Sequence, residues 1–192
     1  TQKFAHVTFF FNGGYREPLD PKKEIYHLIN SDKIDSFANA PAMKAKEITD
    51  QAIQFLRSGE FDYGLINYAN ADMVGHCGKI EATIKAVEEV DRQLGRLLPV
   101  IDAVDGILVI TADHGNADEM LVKNKQGNWE NSTKHSLNQV PFVIYDPKYK
   151  QQYQLQAHGP KINLNLSHVA ATLFMLMGEI PPNDTNDSLF RL

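Results

Sequence analysis

Ile66-Asn67-Tyr68-Ala69-Asn70-Ala71-Asp72-Met73-Val74-Gly75-His76 passes from an apolar, strand-like run into a carboxylate and an imidazole four positions apart. Half of a metal site would read this way. A second stretch repeats the pattern: Gly106-Ile107-Leu108-Val109-Ile110-Thr111-Ala112-Asp113-His114-Gly115-Asn116 carries four consecutive apolar residues into Asp-His-Gly. Such an apolar run suits a strand buried on both faces of a parallel sheet. In open α/β sheets ligands gather beyond the carboxyl ends of the strands, so the two endings are expected to meet. His135 is the third candidate, in the polar loop Asn131-Ser132-Thr133-Lys134-His135-Ser136 ahead of the strand run Val140 to Tyr145.

Working outward, His6 to Asn12 combines β-branched and aromatic residues before Gly13-Gly14 and reads as a first strand, with Lys3 at its mouth. Tyr15 to Ala40 has no sustained period and reads as loop, with a short strand around Ile25 to Leu28. Ala45, Ile48, Ala52, Phe55 and Leu56 recur at helical spacing and Gly59 suits a C-terminal cap. Phe61 to Tyr68 is the strand leading to Asp72. Beyond His76, a stripe of Ile80, Ile84, Val87, Leu94, Leu98 and Ile101 predicts a long amphipathic helix. The polar segment between Glu119 and Trp129 predicts a hairpin, and Asp146 to Pro160 a loop. Ser167 is the expected N-cap of a helix through Val169, Leu173, Leu176 and Met177 that stops at Gly178. Alternation of strand and helix signals predicts an α/β fold with a largely parallel sheet and right-handed crossovers.

Composition narrows the functional classes. With 43% hydrophobic and 22% charged residues over 192 positions, one domain with a real core is expected. A net charge of −5 without a basic stripe argues against nucleic acid and for a small-molecule partner. The lone Cys77 precludes an internal disulfide and fits a reducing compartment. No apolar run approaches the length of about eighteen residues that a membrane span needs, and no signal-peptide pattern opens the chain. A cytoplasmic, monomeric protein is the resulting expectation. The opening Thr1-Gln2-Lys3, without methionine, reads as a cut from something longer.

Two carboxylates and three imidazoles, Asp72, His76, Asp113, His114 and His135, form a mixed oxygen and nitrogen donor set suited to manganese, iron, cobalt or zinc. Each residue alone has a structural alternative. Asp72 suits a turn or an N-cap, His76 a first helical turn, His135 a loop, and Lys3 a solvated terminus. His6, His27, His158 and His168 have no spacing that recommends them, and Cys77 reads as a small packed residue. The pairing of Asp72–His76 with Asp113–His114 favours the metal reading.

Three stretches carry a family resemblance: Lys3-Phe4-Ala5-His6-Val7-Thr8-Phe9-Phe10-Phe11-Asn12-Gly13-Gly14, Asn67 to His76, and Thr111-Ala112-Asp113-His114-Gly115-Asn116-Ala117. In order and spacing they resemble the carboxyl-terminal part of the cofactor-independent phosphoglycerate mutases, within the alkaline phosphatase superfamily. The resemblance implies a three-layer α/β/α domain portion spanning 1–192 that binds two manganese ions, with cobalt, magnesium or zinc as substitutes. It implies interconversion of 3-phosphoglycerate and 2-phosphoglycerate through a phosphoserine. By the same likeness Asp72, His76 and His135 would bind the first ion, Asp113 and His114 would contribute to the second, and Lys3 would meet the phosphate. Ala71 stands where the family usually has proline, and Cys77 where it has threonine or serine. The family's nucleophilic serine, a further aspartate and the phosphoglycerate-binding arginines match nothing in these residues, so the isolated chain is expected to be inactive. Ser132, Thr133 or Ser136 as a local nucleophile is the alternative. Another phosphomutase or phosphoric-ester hydrolase of the superfamily, or a non-catalytic metal-binding module, would also account for the motifs.

Overall fold

Helix α1, Ala45–Ser58, ends where the spacing predicts, with Gly59 in the left-handed conformation at a φ of 67°. A computed structural model describes residues 1–156 and 164–191. His158 and Pro160 lie outside those residues. After α1 come the short helix α2, Asn70–Gly75, and the long helix α3, Ile80–Ala103. Strand β1, Leu108–Thr111, precedes the hairpin of β2, Leu121–Lys123, and β3, Trp129–Asn131. Strands β4, Phe142–Tyr145, and β5, Gln154–Leu155, helix α4, Val169–Leu176, and strand β6, Phe190–Arg191, complete the order.

Helix α3 packs against both α1 and α2, but not through the stripe its sequence suggests. Ile84 is 53% and Val87 45% exposed, while Thr83, Ala86, Gln93, Leu97, Val100 and Ile101 are buried. The two stripes lie one residue apart, about 100° around the helix. The buried one includes the small side chains Thr83 and Ala86, and the buried residues of α1, Ala45, Thr49 and Ala52, are small as well, as close packing of helices favours. Arg96 bridges from α3 to Asp50 on α1 at 2.5 Å.

Among the described residues the paired strands form three two-stranded antiparallel sheets: β1 with β4, β2 with β3, and β5 with β6. The register of the first sets Leu108 opposite Tyr145 and Thr111 opposite Phe142. The expected largely parallel sheet is not among them. Two of its anticipated strands take other forms. Residues 6–12 close on themselves: Thr8 Oγ1 donates to the Phe4 carbonyl at 2.8 Å, Phe10 N to Ala5 O at 2.9 Å and Gly14 N to Phe9 O at 2.7 Å. The result is a 3-10 turn over Phe4–Val7 and further turns up to Gly14, because local carbonyls satisfy the amides that a ladder would have used. Residues 61–68 run mostly without regular structure and have no ladder partner among the described residues, which leaves Leu65 and Ile66 exposed. β1 is accordingly half-buried rather than covered on both faces. The segment around Ile25 to Leu28 forms no strand either. Before α4, Asn165 rather than Ser167 supplies the capping oxygen, accepting from Ser167 N at 3.0 Å ahead of a 3-10 turn over Leu166–His168. Among the described residues no helix is long and apolar enough to cross a membrane.

Candidate metal centre

Asp72 and His76 are brought together by one helical turn and not by a strand end. α2 starts at the fully buried Asn70, whose Nδ2 donates to the carbonyls of Pro41 and Ala42 at 2.9 and 2.8 Å and so ties the helix to the entry of α1. Four residues apart on one turn, Asp72 and His76 share a face. The His76 amide donates to the Asp72 carbonyl at 2.9 Å, closing that turn.

The other side comes from the segments after β1 and β3. An isolated antiparallel bridge pairs Gly115 with Ser136, the Ser136 amide donating to the Gly115 carbonyl at 2.9 Å. His114 and His135 are thereby neighbours, their rings stacked with centroids 3.5 Å apart. Ser136 is 7% exposed and its hydroxyl donates to Asp118 Oδ2 at 2.8 Å. Asn138 Nδ2 reaches the same oxygen at 2.7 Å. These donors, Asn138 foremost, hold the Asp118 carboxyl below its ordinary pKa. A side chain at Gly115 would collide with both Ser136 Oγ and Asp118. Gly115→Ala should therefore cost about 1–3 kcal/mol of stability, read by chemical denaturation; an unchanged midpoint would show that the bridge yields freely.

Three donor atoms converge. Asp72 Oδ1 lies 3.0 Å from His76 Nε2 and 3.2 Å from His135 Nε2, and the two Nε2 atoms are 3.1 Å apart. The Thr133 carbonyl, 2.7 Å from His76 Nδ1, can only accept, so Nδ1 carries the proton and Nε2 keeps its lone pair toward the other two donors in the neutral ring. Lys3 reaches the second oxygen of Asp72, Nζ to Oδ2 at 2.6 Å, and both side chains are about 15% exposed. Burial pushes the Asp72 carboxyl up, but Lys3, by contact and by charge, with the positive potential of His76 and His114, holds it below its ordinary value. Lys3 is thus neither solvated nor at the mouth of a strand.

Asp113 stays exposed, its Oδ2 3.4 Å from His114 Nε2 and outside the three-donor cluster. The other histidines among the described residues do other work: His6 meets Phe10 and His27 meets Phe55 edge to face, and His168 pairs through Nδ1 with the Asp187 carbonyl at 2.8 Å. Cys77 is packed between Ser36 Oγ and the Met73 carbonyl, both 3.5 Å from its sulfur. Sequence reasoning weighed Thr133 only for its hydroxyl and passed over Asn116. Thr133 acts through its backbone, which no residue type announces; Asn116 stood two places after His114 in the second motif.

A model described as Metalloenzyme superfamily matches residues 1–179. The chain is 40% identical over 200 positions to the 2,3-bisphosphoglycerate-independent phosphoglycerate mutase of Trypanosoma brucei brucei, covering 100% of this chain and 36% of that protein. It is 42% identical over 186 positions to the protein of the same name from Thermomicrobium roseum, with 96% and 34% covered. A crystal structure of Leishmania mexicana phosphoglycerate mutase at low cobalt concentration matches with a TM-score of 0.92 at 36% identity, over 100% of this chain and 36% of that one. The chain spans about a third of the length of the curated relatives it matches.

Proposed function

Because the chain belongs to the Metalloenzyme superfamily, we propose that it is the metal-binding part of a cofactor-independent phosphoglycerate mutase, interconverting 3-phosphoglycerate and 2-phosphoglycerate through a phosphoserine. The observation that carries this reading is the near-equilateral triangle of Asp72 Oδ1, His76 Nε2 and His135 Nε2, with Lys3 beside it. The donor set, one carboxylate oxygen and two imidazole nitrogens without a thiolate, suits a divalent ion such as manganese, cobalt or zinc. Asp72, His76 and His135 would hold one ion, and Asp113 with His114 would contribute to a second.

A bound pair of divalent ions would supply positive charge against the oxygens of the phosphoryl group in transfer. The chain's own residues do the rest of what these elements can do. Thr133 fixes the tautomer of His76, the 115–136 bridge sets His135, and Lys3 brings an ammonium to the edge of the triad, where it can meet a phosphoryl oxygen. The serine and the groups that grip the glycerate are assigned to segments outside these 192 residues, in keeping with the share of the relatives that the chain spans. The same segments would complete the parallel sheet of a three-layer α/β/α domain along residues 61–68. Leu65 and Ile66 are exposed there, and the buried Oδ1 atoms of Asn67 and Asn70 have no hydrogen-bond partner.

Full-length protein, assayed without bisphosphoglycerate, should convert 3-phosphoglycerate, lose that turnover on chelation and regain it with manganese or cobalt. Turnover that survives chelation, or that needs added bisphosphoglycerate, would overturn the proposal. Hydrolysis of other phosphoric esters without mutase turnover would assign the chain to a different reaction of the superfamily.

A further inference from the structure

Asn116 belongs to no part of the donor set, yet it is 5% exposed, with its carboxamide against Gly75 of α2 and beside Asp72. Its Nδ2 is 3.3 Å from Asp72 Oδ1 and 3.5 Å from His76 Nδ1. The second contact is not a hydrogen bond, since His76 Nδ1 already donates to the Thr133 carbonyl and two donors face each other there. The first is a donation to an ionised carboxylate, which only accepts, so the nitrogen and not the oxygen of the carboxamide must face Asp72. Each carboxylate oxygen has two lone-pair directions. On Oδ1 the amide takes one and leaves the other to the triangle, while Lys3 occupies Oδ2.

The seat for this side chain is Gly75. A Cβ at that position would run into the Asn116 carboxamide, reaching 2.9 Å from its Cγ. Asn116 Oδ1 is buried there with no hydrogen-bond partner. An asparagine that buries an unsatisfied oxygen incurs a desolvation penalty that an aliphatic filler would avoid, so a space-filling role alone does not account for the amide. Resting on the metal-centre reading, we propose that Asn116 is a positioning residue. It donates to Asp72 Oδ1 across the glycine gap at Gly75 and fixes the rotation of the carboxylate, so that one lone pair faces His76 Nε2 and His135 Nε2.

The test is the binding of Co2+ to full-length protein, followed through the visible absorption bands of the ion and by calorimetry, with His76→Ala marking the component that belongs to this centre. Asn116→Leu keeps the branched outline in a larger volume without a donor, and Asn116→Ala removes the donor without risk of overpacking. Both should weaken the His76-dependent component about 10–100-fold and shift its bands, whereas a packing role would change only the thermal midpoint of the metal-free protein. Either variant, folded, with wild-type affinity and wild-type bands would overturn the assignment of Asn116 while leaving the centre intact. A wild-type protein lacking any His76-dependent band would remove the centre and this inference together.

Discussion

Asp72→Ala in the full-length protein is expected to abolish tight cation binding and to lower turnover of 3-phosphoglycerate by at least about 10³-fold. Asp72 is the one side chain that every other part of the centre touches: both imidazole Nε2 atoms and the Asn116 amide meet Oδ1, and Lys3 meets Oδ2. Loss of a group that merely orients a ligand costs about 10–100-fold in metal affinity, so loss of the carboxylate itself should exceed that range. Two neutral imidazoles remain, and they hold hard divalent ions less well than a set that includes a carboxylate. The variant also leaves the Lys3 ammonium largely buried without its partner. Stability should fall as well, because an orphaned charge is costlier than a missing attraction. Calorimetric titration with Mn2+ and steady-state assays read the two effects. Wild-type affinity in this variant would place the ion elsewhere.

Lys3→Ala has the second largest expected effect. If its ammonium acts on the phosphoryl group in transfer, kcat and kcat/KM should fall together by roughly 10²-fold or more, about 3 kcal/mol, with little change in KM. Arginine should rescue only in part, since a planar guanidinium does not reproduce a compact ammonium 2.6 Å from a carboxylate oxygen. The contact with Asp72 adds a consequence that a solvated lysine would not have. Removing the ammonium removes a competitor for Asp72, so cation binding should tighten while turnover falls. Opposite signs in the two measurements separate a role in transfer from simple damage to the centre. Turnover equal to wild type would return Lys3 to a structural ion pair.

The elements that could be read from sequence are those set by local periodicity or by glycine. α1 with its Gly59 cap, the extent of α3, and the strands β1 and β4 all fall where spacing and composition place them. What escaped depended on partners. His6 to Asn12 has every residue preference of a strand, but its amides find carbonyls within the same segment. Phe61 to Tyr68 has no ladder partner among the described residues. The buried face of α3 lies one position from the expected one because it runs through Thr83, Ala86 and Gln93, residues that hydropathy undervalues. At the centre, the spacing of Asp72 and His76 was informative for a reason other than the expected one, a helical turn in place of a strand end. Asn116 and Gly75 escaped because their importance lies in how they fit each other.

Anomalous diffraction from crystals of the full-length protein grown with Co2+, recorded on either side of the cobalt absorption edge, tests the central claim most directly. The account predicts a cobalt peak bonded at once to Asp72 Oδ1, His76 Nε2 and His135 Nε2, and no peak there in crystals of the His76→Ala variant. A cobalt peak that left any of those three atoms uncoordinated, or that persisted unchanged without His76, would contradict it.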